Sequence, residues 1–211
     1  TFWSPPHLLI YAGVLLLLGS LALGFGEAWR RRASGRPPQA GPALRLPGGV
    51  WMSPGLVMAG LGALMSLTSA PVDELWHWVY GQDVTIWSPP HLQLIFGVAL
   101  GGLGLLAAHA GEMNRADPSR LRPGLRPLQR DPRQWMLVFL GALVTSALLA
   151  TVAEYEFDIP RFPVVYHPIV LAPVAVGSLM LAARALGTAW AATAVAGLVT
   201  ALSLGALAEL A

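Results

Sequence analysis

Apolar residues in this chain run in long, nearly uncharged blocks separated by short polar segments. A helix needs about 20 apolar residues to cross the hydrocarbon core of a bilayer. Six blocks meet that length, at about 7–28, 50–70, 91–111, 134–153, 167–186 and 189–209. The expected fold is therefore all-α, a polytopic membrane bundle of about six transmembrane helices with residues 1–211 forming one transmembrane domain. Composition agrees: 55% of residues are hydrophobic and 11% charged, against about 25% charged in soluble domains. The chain opens at Thr1 on Trp-Ser-Pro-Pro-His with no basic n-region ahead of it, so further sequence is expected before Thr1 and six crossings are a minimum.

Charge sets the expected orientation. All 13 basic residues are arginine. Eleven of them fall in two segments, Arg30, Arg31, Arg32, Arg36 and Arg45 in 29–49, and Arg115, Arg120, Arg122, Arg126, Arg130 and Arg133 in 113–133. The positive-inside rule makes these loops cytoplasmic and brings the chain into its first helix from outside. Both loops are rich in Pro and Gly and read as irregular connectors, serving as topology determinants rather than as a surface for nucleic acid. Trp29, Trp51, Trp135 and Trp190 then mark inner helix ends, and Trp3, Trp76, Trp78 and Trp87 outer ones, an aromatic belt at each interface.

A repeat adds organisation. Thr1–Val14 and Thr85–Val98 are identical at nine of fourteen positions, and Trp51-Met52 recurs as Trp135-Met136 at the same offset of 84. Leu143-Val144-Thr145 through Glu154 is echoed by Leu198-Val199-Thr200 through Glu209. The expected unit is a two-helix hairpin, with units at about 1–70, 85–153 and 167–209. The Gly-rich stretch 97–104 lies inside a crossing and reads as close helix packing, not a nucleotide loop.

Sorted by side, the outer face collects His7, His77, His91 and His167 with Asp73, Glu74, Asp83, Glu154, Glu156, Asp158 and Glu209, facing Arg161 alone. Such a surplus of carboxylate and imidazole calls for another cation or for abundant water. Asp73 and His77 are four apart and share a face if the second helix continues through them. Ser88 as N-cap and Pro89 at the first helical position place His91 in the first turn of the third helix. A loop of about ten residues can bring His91 to the Asp73/His77 pair. This two-histidine, one-carboxylate set suits copper, zinc or non-haem iron. Trp76, Trp78, Tyr80, Asp83 and Trp87 are expected around it. Glu154, Asp158 and His167 form a carboxylate-rich second version suited to iron, manganese or zinc. His7 matches His91 in the repeat, with Glu209 as a conceivable partner if the repeats close into a ring.

The residues just quoted carry a resemblance. Asp73-x3-His77-x13-His91, with Trp76 before the first histidine, Asp83-Val-Thr85 in the loop and Ser-Pro-Pro-His opening the next helix, resembles the C subunit of particulate methane and ammonia monooxygenases. The resemblance implies copper on Asp73, His77 and His91, dioxygen chemistry on a small apolar substrate, and companion membrane subunits or a homo-oligomer. It also implies a bacterial-type inner membrane, plasma or intracytoplasmic, with the histidine-rich side periplasmic or extracellular.

Two other readings stay open. Histidines on small-residue helices can ligate haem or chlorophyll in a respiratory or photosynthetic complex, although here they sit at helix ends beside carboxylates. A metal transporter would use the same ligands, but needs polar residues at the bilayer midplane. The absence of cysteine excludes thiolate sites and covalent haem, and the absence of lysine excludes a retinal Schiff base.

Overall fold

A computed structural model describes residues 5–35, 41–81, 85–118, 124–125, 127–153 and 163–208. Six helices follow in order: α1 (Pro5–Ala33), α2 (Pro54–Tyr80), α3 (Pro89–Ala116), α4 (Pro132–Leu149), α5 (Tyr166–Leu186) and α6 (Trp190–Ala208). Five contain a stretch long and apolar enough to cross a membrane, and the lipid-sized blocks of the sequence are these helices. The sixth expected crossing is a helix whose apolar stretch, Trp190–Leu204, is shorter than the other five. The chain divides into two compact units, Thr1–Ala108 and His109–Ala211.

Helix ends follow local chemistry rather than the hydropathy limits. Ser53 caps α2, its hydroxyl accepting from the Leu56 amide at 3.3 Å, with Pro54 in the first helical position. α2 then runs through Pro71 to Tyr80, ten residues beyond the apolar block. α1 likewise continues to Ala33, where Glu27 pairs with Arg31 at 3.0 Å and Arg32 lies 5.1 Å over the Trp29 ring. Asp131 caps α4 by accepting from the Arg133 amide at 2.9 Å. The side-chain cap expected of Ser88 is not formed. Its carbonyl accepts from the Leu92 amide at 3.0 Å and so begins α3, but its buried hydroxyl has no hydrogen-bond partner among the described residues.

The first arginine-rich segment departs from the irregular connector expected, and the described part of the later one stays irregular. Leu44–Arg45 and Trp51–Met52 pair as antiparallel strands β1 and β2 about a tight turn at Pro47–Gly49, because Pro-Gly-Gly supplies a reversal between two apolar-flanked pairs. In the later segment Gly124 donates to the Gly187 carbonyl at 3.1 Å and accepts from the Ala189 amide at 3.2 Å. That pins the loop to the turn between α5 and α6.

In the first unit, α2 and α3 approach backbone to backbone. A methyl group on Gly97 would stand 2.6 Å from Ser66 Oγ, one on Gly55 would stand 2.6 Å from the Ala108 amide nitrogen, and one on Gly62 would collide with the Gly101 backbone. Small residues at this spacing let dispersion act between main chains, the close packing expected of Gly97–Gly104. Gln93 fastens the pair further, donating to the Met65 carbonyl at 3.1 Å and the Thr68 hydroxyl at 2.8 Å. In the second unit α4, α5 and α6 pack against one another pairwise. There Leu137, Val138, Val144 and Val195 are buried, and Gly141 faces the methyls of Val195 and Ala182.

Candidate metal centre

The continuation of α2 past Pro71 decides the site, since it keeps Asp73 and His77 on one helical face. His77 Nε2 lies 3.4 Å from Asp73 Oδ2. From the first turn of α3, His91 Nε2 lies 3.5 Å from Asp73 Oδ1. Among the described residues these three form the group whose ligand atoms all fall within 4.8 Å of one another. The side chains are 20–32% exposed, so the cluster is screened from solvent but reachable.

Each imidazole is oriented by a main-chain carbonyl. His77 Nδ1 is 3.2 Å from Gly81 O, and His91 Nδ1 is 2.7 Å from Thr85 O. A carbonyl oxygen only accepts, so Nδ1 carries the proton in both rings. In the neutral tautomer that leaves each Nε2 lone pair aimed at the Asp73 carboxylate. This is the arrangement of metal-binding histidines, whose outer nitrogen is held by a carbonyl or carboxylate.

Lone pairs facing carboxylate oxygens repel unless a cation stands between them. Either a proton or a metal ion can be that cation. Ligands about 2.0–2.1 Å from a tetrahedral ion stand about 3.3–3.4 Å apart, and the distances of 3.4 and 3.5 Å here run to the two different oxygens of the Asp73 carboxylate. Asp73 Oδ1, moreover, is buried without a hydrogen-bond partner among the described residues, an atom with an unmet need for positive charge. The three side chains could together hold a metal ion.

Glycine and threonine supply the carbonyls for identifiable reasons. Gly81 has φ 80° and ψ 176°, a conformation open essentially to glycine alone. There it ends α2, donating to the His77 carbonyl at 3.0 Å while its own oxygen receives His77 Nδ1. Thr85 uses its hydroxyl to accept from the Trp87 amide at 3.2 Å, turning the chain into α3 and presenting its carbonyl to His91.

A cavity of about 290 Å³ adjoins Asp73 and His91. Tyr11 of α1, Ser66 and Ser69 of α2 and Leu94 of α3 help to line it. Of the aromatic residues expected around the metal, Trp76 packs on Tyr80 with ring centroids 4.4 Å apart. Trp78 is 84% exposed, and Trp76, Trp78, Tyr80 and Trp87 lie outside the lining of this cavity. Tyr11 carried no sequence signal. It lies outside the repeat's shared positions, with Ile95 at the matching place.

The other expected site residues are placed as follows. His167 is in the first turn of α5, while Glu154 and Asp158 lie outside the described residues, as do Asp83 and Glu209. His7 lies in the first turn of α1, its side chain outside the described set. Comparison of the whole chain with protein-family models, with curated proteins and with solved structures found no match to any of them.

Proposed function

We propose that this chain is a multi-pass membrane metalloprotein in which Asp73, His77 and His91 hold one divalent ion, with copper as the first choice. The reading is supported above all by one observation: two imidazole Nε2 atoms, each with a carbonyl oxygen against the Nδ1 behind it, converge on one carboxylate at 3.4 and 3.5 Å. Two imidazoles and a carboxylate also accommodate zinc or iron. Copper is favoured because the Asp73-x3-His77-x13-His91 pattern resembles the copper-binding C subunit of membrane monooxygenases.

On that reading the protein is a monooxygenase-type subunit acting on a small, mainly apolar molecule. Bound copper would supply a redox-active centre for dioxygen chemistry. The chain's own residues do the rest. Gly81 and Thr85 hold the imidazoles in the ligating tautomer, Asp73 neutralises the ion, and the cavity beside His91 admits a substrate from the lipid side. The repeat supports an origin in three hairpins, with a second, harder site at Glu154, Asp158 and His167. The arginine distribution supports the triad on the outer side, and a bacterial-type inner membrane and companion membrane subunits belong to the same reading.

Elemental analysis with an absorption spectrum of detergent-purified protein tests the proposal. About one copper per chain is expected, falling at least ten-fold in His77→Ala and His91→Ala. Unchanged metal content in both variants would remove the triad as the site, and a Soret band would move the protein to the haem-binding class.

A further inference from the structure

The cavity beside the triad has a polarity of its own. Its body is apolar, formed by side chains such as Val14, Leu15, Leu67 and Leu94. Its polar lining, Tyr11, Ser66, Ser69, Asp73 and His91, carries more acceptors than donors. Ser66 Oγ donates to Gly62 O at 3.0 Å and Ser69 Oγ donates to Ser66 O at 2.7 Å. Each hydroxyl has therefore spent its proton on a helix carbonyl and offers only lone pairs. The Asp73 carboxylate brings two more accepting oxygens, Oδ1 buried and without a hydrogen-bond partner among the described residues. His91, with its Nδ1 proton held by Thr85 O, presents an accepting Nε2. Tyr11 adds one hydroxyl, against four oxygens and one nitrogen that accept. A metal in the triad takes the His91 nitrogen and one carboxylate oxygen, and three accepting oxygens remain.

A plain hydrocarbon meets none of these groups. It would displace water from the Asp73 carboxylate and leave its buried Oδ1 unsatisfied, which is costly in a buried site. We infer that the cavity binds a small uncharged molecule with an apolar body and a single O–H or N–H donor, the donor directed at the Ser66, Ser69 and Asp73 oxygens. Size follows from volume. An apolar cavity of about 150 Å³ takes benzene, so one of about 290 Å³ takes a molecule of up to about ten non-hydrogen atoms. Short alcohols, small phenols and small amines belong to this class, whereas alkanes of the same length do not. The assignment names the substrate class of the proposed metal site and rests on that reading for the ligand's place beside the ion.

The test uses the full chain in nanodiscs of deuterated lipid, with 1-hexanol and n-heptane as probes of equal non-hydrogen atom count. Saturation transfer from protein methyl groups reports occupancy with or without metal. The difference in probe relaxation between copper- and zinc-loaded protein reports distance from the triad. After correction for partition into lipid, hexanol is expected to bind about five-fold more tightly than heptane, the weight of roughly one hydrogen bond, and to be relaxed by copper. Ala70→Phe, which places a ring in the cavity, should abolish both signals while copper content stays at the wild-type level. Leu94→Phe closes it from α3 should the first variant not assemble. Equal binding of hexanol and heptane, or signals that survive both cavity-filling variants, would overturn the inference. Wild-type protein that takes up no copper yet shows saturation transfer to hexanol would instead remove the metal reading and leave the cavity assignment standing.

Discussion

The two units of this chain solve the same packing problem with different side chains, and the difference explains where chemistry can be placed. In the first unit α2 and α3 meet through Gly55, Gly62 and Gly97, so main chain lies on main chain with no room for an added carbon at these positions. In the second, α4, α5 and α6 meet through Leu137, Val138 and Val195, branched side chains able to change rotamer. Backbone-to-backbone contact fixes the separation of α2 and α3 tightly. The proposed ligand set drawn from both helices, Asp73 and His77 on one and His91 on the other, would need that rigidity, since metal sites tolerate only small errors of geometry.

The contrast is broken most severely by adding one carbon atom. Gly62→Ala forces α2 away from the Gly101 backbone, and a loss of about 1–3 kcal/mol in stability is expected together with a fall in metal content. Gly141→Ala in the second unit meets the Val195 methyl at 3.1 Å, a side chain that can give way. It should change stability by less than about 1 kcal/mol, partly offset by alanine's better helix propensity, and leave metal content untouched. Thermal unfolding and metal analysis of the two variants side by side check both statements. Equal effects would mean that the glycine contacts do not govern the site.

A smaller effect isolates the imidazole supports. Gly81→Ala meets no atom of the described residues within 4 Å, and the backbone at φ 80° costs it about 1–3 kcal/mol. Metal affinity should drop about ten-fold as His77 loses its carbonyl partner, while circular dichroism shows unchanged helix content. Trp78→Phe marks the low end. The residue is 84% exposed and outside the cavity, and affinity should stay within about two-fold of wild type, as for surface substitutions generally.

Much of the first unit was legible in the sequence, and the illegible parts share a cause. Hydropathy found the helices because their composition is set by the solvent they face. It stopped α2 near residue 70 because Pro71 and the polar run from Asp73 read as a boundary, yet the helix continues to Tyr80. The i, i+4 spacing of Asp73 and His77, and Ser-Pro-Pro ahead of His91, signalled side-chain chemistry and brought three ligands into one expected set. Gly81 and Thr85 act through main-chain carbonyls, which every residue possesses, so no residue type announced them. Tyr11, Ser66 and Ser69 reach the cavity through the packing of three helices, which no local pattern encodes. The hairpin at 44–52 was missed because two-residue strands leave no alternating pattern and Trp51-Met52 falls inside the apolar block at 50–70.

The central claim is that two imidazole nitrogens and one carboxylate form a single site. Electron paramagnetic resonance of the copper(II)-loaded protein tests it most directly, because nitrogen superhyperfine structure counts the nitrogens bound to the ion. Two coupled nitrogens are predicted for the wild type, one in His91→Ala and one in His77→Ala, with the Asp73→Asn variant keeping both at weakened affinity. A wild-type spectrum with no nitrogen coupling, or one unaltered by removal of either histidine, would contradict the account.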